Sequence, residues 1–312
     1  MVNESPSEKK RSQSPLVGDH QLFRLGKGVV SPKKILLVGN GAVEGGWPPL
    51  ARALGCDQIK SEDTLASLLA GFTFHYRNFR NELLISLHDP KEDPAKLVSK
   101  FKEELDILHN HRWQVANAYQ TAESLGEIRL RSCEPIDTLF KDPREIGVIT
   151  TNWDGLIWNQ HRFQNVIQIH GLSTHSDSLI FPSELSTDEQ IFELARFSNL
   201  TAAAKDSISK LGKHYRGLMA SALRNAHGLA MQWLREAEEI TVWGLALHPY
   251  DAELLTVVQN WARYKPKVTD GCVTIINPND AHRDRVATVL AALQWTRRDY
   301  DPRKCEWVRG PT

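Results

Sequence analysis

Alternating strand and helix signals predict an α/β protein with a doubly wound, mainly parallel sheet and a large helical insertion. Two observations carry that prediction. Short apolar runs at Ile35–Val38, Ile146–Thr150, Ile240–Trp243 and Val273–Ile276 each give way to glycine or a polar residue. Such continuous runs belong to strands covered on both faces, as parallel strands are. Between them lie stretches whose apolar residues recur three and four apart, the period of a helix with one buried face.

Residues 1–32 are rich in Ser, Lys, Glu and Pro and lack apolar periodicity, so they are expected to form a flexible arm. Ile35–Val38 is the first central strand, ending at Gly39. Pro48 and Pro49 open a helix that contains Leu50 and Leu54. Leu65, Leu68, Leu69, Phe72, Phe79 and Leu83 then mark a helix over about 62–88. Asp93 as N-cap and Pro94 in the first turn start another, continued by Leu97, Phe101, Leu105, Leu108, Val115 and Tyr119. Together they form an insertion at about 60–125. Strands are expected at about 146–151, 165–169 and 178–181. Ser186 and Glu189 form a capping-box pattern, and Met219, Leu223, Ala226, Ala230 and Trp233 mark a helix, so a second helical insertion covers 186–236. The strand 240–243, a helix from about Asp251, the strand 273–276 and a helix after Asp280 complete a domain spanning 33–300. Residues 301–312 are expected to be a C-terminal tail.

Composition narrows the function. The 312 residues carry 38 basic and 38 acidic side chains. That balance gives no global attraction to nucleic acid or another polyanion. No apolar run is long enough to span a bilayer, and no secretory signal opens the chain. Cys56, Cys133, Cys272 and Cys305 are far apart, with no CxxC pair, so no zinc or redox motif is expected locally. With few cysteines and no export signal, the cytoplasm is the expected compartment.

Four constellations lie at strand ends, where open α/β sheets bind ligands. The first is Gly39-Asn40-Gly41-Ala42, followed by Gly45-Gly46-Trp47-Pro48. Glycine after a strand lets a pyrophosphate approach the backbone, although Glu44 occupies the third glycine position of the full dinucleotide fingerprint. The plain alternative is a tight strand-to-helix turn. The second is Thr150-Thr151-Asn152-Trp153-Asp154. A carboxamide can both donate and accept without acting as a nucleophile, but Asn152 and Asp154 could equally cap the helix that contains Leu156 and Ile157. The third is Ile169-His170-Gly171, where an imidazole could serve as a general base or simply be a satisfied structural group. The fourth pairs Trp243-Gly244-Leu245-Ala246 with Ile275-Ile276-Asn277-Pro278. Asn277 suits a ribose hydroxyl or a turn before the proline.

These motifs resemble those of the sirtuin-like family of NAD-consuming proteins. The resemblance covers residues 33 to about 295, rests on five short motifs and is strongest over 146–171. It implies a sirtuin/deoxyhypusine-synthase-like NAD-binding fold. Asn152 and His170 would be the catalytic residues, and Gly39, Gly41, Ala42, Thr151, Asp154, Gly244 and Asn277 would hold the cofactor. This chain departs from the family at Leu245-Ala246, which stand where a hydroxyl pair is usual, so side-chain bonds to phosphate are in doubt there. It also lacks the two CxxC pairs of protein-deacylating sirtuins. Residues 182–236 contain no cysteine. The zinc-free branch is known for NAD hydrolysis, commonly in bacterial anti-phage defence. The resemblance therefore implies an NAD glycohydrolase with NAD as substrate and no zinc. A non-catalytic NAD or ADP-ribose sensor and a zinc-free deacylase are the alternatives. An unregulated NAD hydrolase is toxic, so a homo-oligomer or a separate activating protein is the expected partner, with neither nucleic acid nor membrane involved.

Overall fold

A computed structural model describes residues 22–26, 31–56, 67–71, 94–160, 162–181, 219–248, 252–265 and 270–310, with a few further helical positions between 73 and 82 and between 202 and 206. Eight strands form the central sheet: β1 (Phe23–Arg24), β2 (Lys34–Val38), β5 (Ile146–Thr150), β6 (Asn165–Gln168), β7 (Glu239–Trp243), β8 (Cys272–Ile276), β9 (Thr296–Asp301) and β10 (Glu306–Arg309). Their spatial order is β1-β6-β5-β2-β7-β8-β9-β10. The strands from β6 to β9 are parallel, and β1 and β10 pair antiparallel at the two edges. A two-stranded ribbon, β3 (Val43–Glu44) with β4 (Arg129–Leu130), stands apart. The six parallel strands follow the Rossmann order, reversing direction of travel between β2 and β7.

The side-chain alternation of each strand feeds two helical layers. Ile35, Leu37, Ile149, Ile167, Ile240, Val242 and Ile275 face one way. They pack on α5 (Met219–Glu236), α6 (Ala252–Tyr264) and α7 (Asp280–Leu290) through Leu223, Trp233, Val258, Trp261 and Val286. Leu36, Val38, Val148, Val166, Trp243 and Ile276 face the other way, onto Ile136 of α3 (Glu134–Leu139) and Ile157 of α4 (Leu156–Asn159). A third cluster joins α1 (Trp47–Ala53) to α2 (Pro94–Ser124) through Leu50, Leu105, Leu108, Val115 and Tyr119, and takes in Trp153 and Phe181. Asn279 caps α7, its side chain accepting from the N–H groups of Ala281 and His282. Among the described residues, no helix is long and apolar enough to cross a membrane.

Three expectations from the sequence are corrected. Part of the expected arm is structured: Leu22 is buried in the core and Phe23–Arg24 pair with Val166 and Ile167. Residues 301–309 are not a tail, because Asp301 ends β9 and β10 returns along it. The apolar run Leu179–Phe181 is buried but is not a strand. It follows a 3-10 turn at Ser176–Ser178; Leu179 and Phe181 pack beneath α2, and Ile180 packs into the cluster shared with α5 and α6. The Asp93 cap, most of the helix expected at 62–88, the Ser186/Glu189 capping box and most of 186–218 lie outside the described residues.

Candidate functional site

Register brings the predicted groups together. Val38 stands level with Thr150 on one side and Trp243 on the other. Thr150 is level with Gln168, and Trp243 with Ile276. The chain therefore leaves all five strands at one edge, delivering Gly39, Thr151, His170, Gly244 and Asn277 to the carboxyl side of the sheet. A cleft of about 460 Å³ opens there, at the point where the strand order reverses. Its walls include Gly41, Thr151, Asn152, His170, Gly244 and Asn277. Gly39, Ala42 and Asp154 lie behind this surface rather than on it.

The two glycine segments are packed back to back. Gly39 N–H donates to the Trp243 carbonyl and Gly41 N–H to the Gly244 carbonyl, both at 2.9 Å. Ala42 N–H donates to Gly39, and Gly244 N–H to Ile276. A Cβ on Gly41 would sit 2.8 Å from the Gly244 carbonyl oxygen. One on Gly244, whose φ is +64°, would sit 2.0 Å from the Ala42 nitrogen. These glycines thus permit close approach of two protein backbones, and their N–H groups are already taken. Phosphate held here must be held by other donors.

Thr151 follows β5 with its N–H 3.0 Å from the Val38 carbonyl, to which its hydroxyl also donates at 3.3 Å. Asn152 N–H donates to Thr150 Oγ1 at 3.0 Å. The Asn152 side chain is only 4% exposed, and neither carboxamide atom has a hydrogen-bond partner. Asn40 Nδ2 and the indole N–H groups of Trp47 and Trp153 share that condition, and all three residues line the same cleft. Buried polar groups left unsatisfied cost about 1–3 kcal/mol each, so these atoms make the cleft a candidate surface for a polar ligand.

Asp154 precedes Gly155, the N-cap of α4, and its side chain makes a turn bond rather than a helix cap. Its Oδ1 accepts from Leu156 N–H at 3.1 Å, at the start of α4. The carboxyl is 1% exposed, and burial, followed by the charge of Glu123, pushes it up to about 7. Burial likewise raises the Glu123 carboxyl, against the opposing pull of the Gly155 N–H that it accepts.

His170 lies at the turn after β6. Gly171 has φ +89°, and a Cβ there would lie 2.2 Å from the Ser178 carbonyl oxygen, which explains why glycine follows the histidine. The chain folds back so that Ile180 N–H donates to the His170 carbonyl at 2.9 Å. Ser173 N–H reaches the Trp153 carbonyl at 2.7 Å, tying this turn to the Asn152 loop. His227 Nε2 on α5 donates to the Ile169 carbonyl at 2.6 Å. Sequence reasoning missed His227, because nothing local distinguishes it among 12 histidines. Asn277 Oδ1 accepts from Asn279 N–H at 2.9 Å, making the turn around Pro278 while still facing the cleft.

Arg131, Arg303 and the imidazoles of His170, His248 and His282 line the cleft, and no carboxylate is among its described lining residues. The Arg131 guanidinium favours anions here, while Arg303 is also paired with buried Asp301. A larger, mainly apolar cavity of about 980 Å³ lies between the sheet and α5 and α6, with Thr151 and His170 in its wall as well. The cleft at the strand ends is the better candidate, because the strand ends and several unpartnered donors converge on it. Among the described residues, no group of three or more His, Cys, Asp or Glu is placed to hold a metal ion. No protein-family model, curated protein or solved structure matches the chain.

Proposed function

We propose that the chain is a sirtuin-like NAD glycohydrolase that cleaves the nicotinamide–ribose bond with water as acceptor and uses no zinc. The observation that carries this reading is the Asn152 carboxamide. It is buried and unpartnered in the wall of a cleft that His170 also lines. The terminal torsion of an asparagine is soft, so the amide can turn to meet a ribose hydroxyl or a water. The basic lining supports a ligand that carries phosphates. In the proposed reaction the C–N glycosidic bond breaks and neutral nicotinamide leaves with the bonding pair. Water then adds to the ribose carbon, and its proton passes to the His170 imidazole, a group suited to accept it near neutrality. The products are nicotinamide, ADP-ribose and a proton.

Such an activity fits a bacterial anti-phage effector that acts in the cytoplasm by NAD depletion, and it requires restraint by assembly or by a second protein. Trp113 on α2 is 59% exposed, a large aromatic that an association surface would cover. The deciding experiment is incubation of the purified chain with NAD, followed by chromatography. Stoichiometric nicotinamide and ADP-ribose support the hydrolase. Binding of ADP-ribose without nicotinamide release would instead identify a sensor, and release only with an acylated peptide would identify a deacylase.

A further inference from the structure

Helix α2 makes side-chain hydrogen bonds to three separate loops of the cleft from one short stretch near its C-terminal end. Tyr119 Oη donates to the Gly46 carbonyl at 2.8 Å, in the segment that follows the first glycine turn. Gln120 Nε2 donates to the Ser173 carbonyl, in the turn after His170. Glu123 Oε1 accepts the N–H of Gly155, in the turn after Asn152. Positions 119, 120 and 123 share a helix face, because residues three and four apart are neighbours. Tyr119 also meets Trp153 edge-on, with centroids 6.1 Å apart, and Val115, Ala116 and Ala122 bury the same face. These loops belong to three different strand ends, two of them joined by the Ser173–Trp153 bond, and the helix spans all three.

We propose that Glu123 is a positioning residue for the reacting end of the cleft, holding the Asn152 loop at the Gly155 amide while Gln120 and Tyr119 fix the two neighbouring loops to the same helix. The proposal rests on the glycohydrolase reading for its catalytic consequence, but not for its structural content. Glu123 touches no reacting atom. It acts through the turn: its carboxylate holds the Gly155 N–H beside the Leu156 N–H that Asp154 holds, and Asn152 lies on the loop that leads into that turn. A displacement of about 1 Å at a reacting group can cost roughly 100-fold in rate. The insertion thereby becomes part of the active site without contributing a lining catalytic group.

Glu123→Ala and Glu123→Gln in the full chain test this. Glutamine retains an acceptor oxygen for Gly155 N–H, and alanine does not. Expected for Glu123→Ala is a fall in kcat for nicotinamide release of roughly 10- to 100-fold, with ADP-ribose affinity within a factor of about three, since the phosphate end is unaffected. Glu123→Gln should restore most of the rate. Amide hydrogen exchange over 152–156 should quicken in the alanine variant and return to the wild-type rate with glutamine. Exchange that is identical in all three proteins overturns the proposal, whether or not the chain hydrolyses NAD. So does a glutamine variant as impaired as alanine, or equal loss of kcat and ADP-ribose affinity. A wild-type chain that releases no nicotinamide removes the hydrolase reading alone, because the exchange data still decide whether Glu123 holds the loop.

Discussion

Replacing Asp154 by asparagine should raise the stability of this protein, and by more at alkaline than at acid pH. The carboxyl is buried and pushed from 3.8 up to about 7. A carboxyl whose folded value is raised favours the folded state while protonated. That contribution is complete below the ordinary value and is lost as pH rises through the folded value. Each unit is worth about 1.4 kcal/mol, so a shift of roughly three units sets an upper limit of about 4 kcal/mol, reached above pH 7. By pH 5 part of it is already lost, leaving on the order of 2 kcal/mol between pH 5 and pH 8. Asparagine keeps an oxygen for the Leu156 N–H and removes the charge. Glu123 and Tyr119 face the same carboxyl. Glu123 titrates with it as a pair, so the measured change belongs to both acids. Urea unfolding of the wild type and Asp154→Asn at the two pH values provides the comparison. The stability difference should widen by about 2 kcal/mol, a midpoint shift of about 1 M urea for a slope near 2 kcal/mol/M. Parallel pH dependences would refute the buried, largely neutral carboxyl.

Further outcomes follow from the cleft. Asn152→Ala and His170→Ala should each lower nicotinamide release by roughly 100-fold or more, read by chromatography on proteins with wild-type circular dichroism; full activity in either removes that residue from the mechanism. Gly244→Ala places a Cβ 2.0 Å from the Ala42 nitrogen at φ +64°, so it should destabilise by at least about 2 kcal/mol, with Gly41→Val similarly affected. Unchanged thermal midpoints would show that the two glycine segments do not pack as described. If exposed Trp113 mediates assembly, Trp113→Asp should give a monomer by light scattering that binds ADP-ribose but does not cleave NAD; a fully active monomer separates assembly from activity.

The central strands were legible because burial on both faces leaves a mostly apolar run, unbroken at Ile35–Val38 and interrupted only by Thr274 at Val273–Ile276. Strand β9 was not. Its sequence is Thr-Arg-Arg-Asp-Tyr-Asp, and its buried Asp299 is neutralised by Arg297 at 2.7 Å rather than replaced by an apolar residue. Leu179–Phe181 misled for the converse reason. A buried irregular segment beneath a helix carries the same apolar signal as a strand. Asn152, Thr151, His170 and Asn277 could be placed at the cleft because strand ends are local features and parallel register aligns them. The roles of the glycines could not be read, since sequence alone does not say whether a missing Cβ makes room for a ligand or for another backbone. Tyr119, Gln120 and Glu123 were equally hidden. Their partners lie 73, 53 and 32 residues away, and on their own helix they look like ordinary interior and boundary positions.

The occupied N–H groups of the glycine segments bear on how this cleft can diversify. A site built from peptide amides is indifferent to side-chain identity, so it survives most substitutions and keeps one preference over long divergence. Here Gly39, Gly41, Ala42 and Gly244 all donate within the protein, leaving recognition to groups such as Asn40, Trp47, Arg131 and Asn152. On the proposed function, substitutions at these side chains would change what the cleft accepts while the backbone packing of the two glycine segments stays in place.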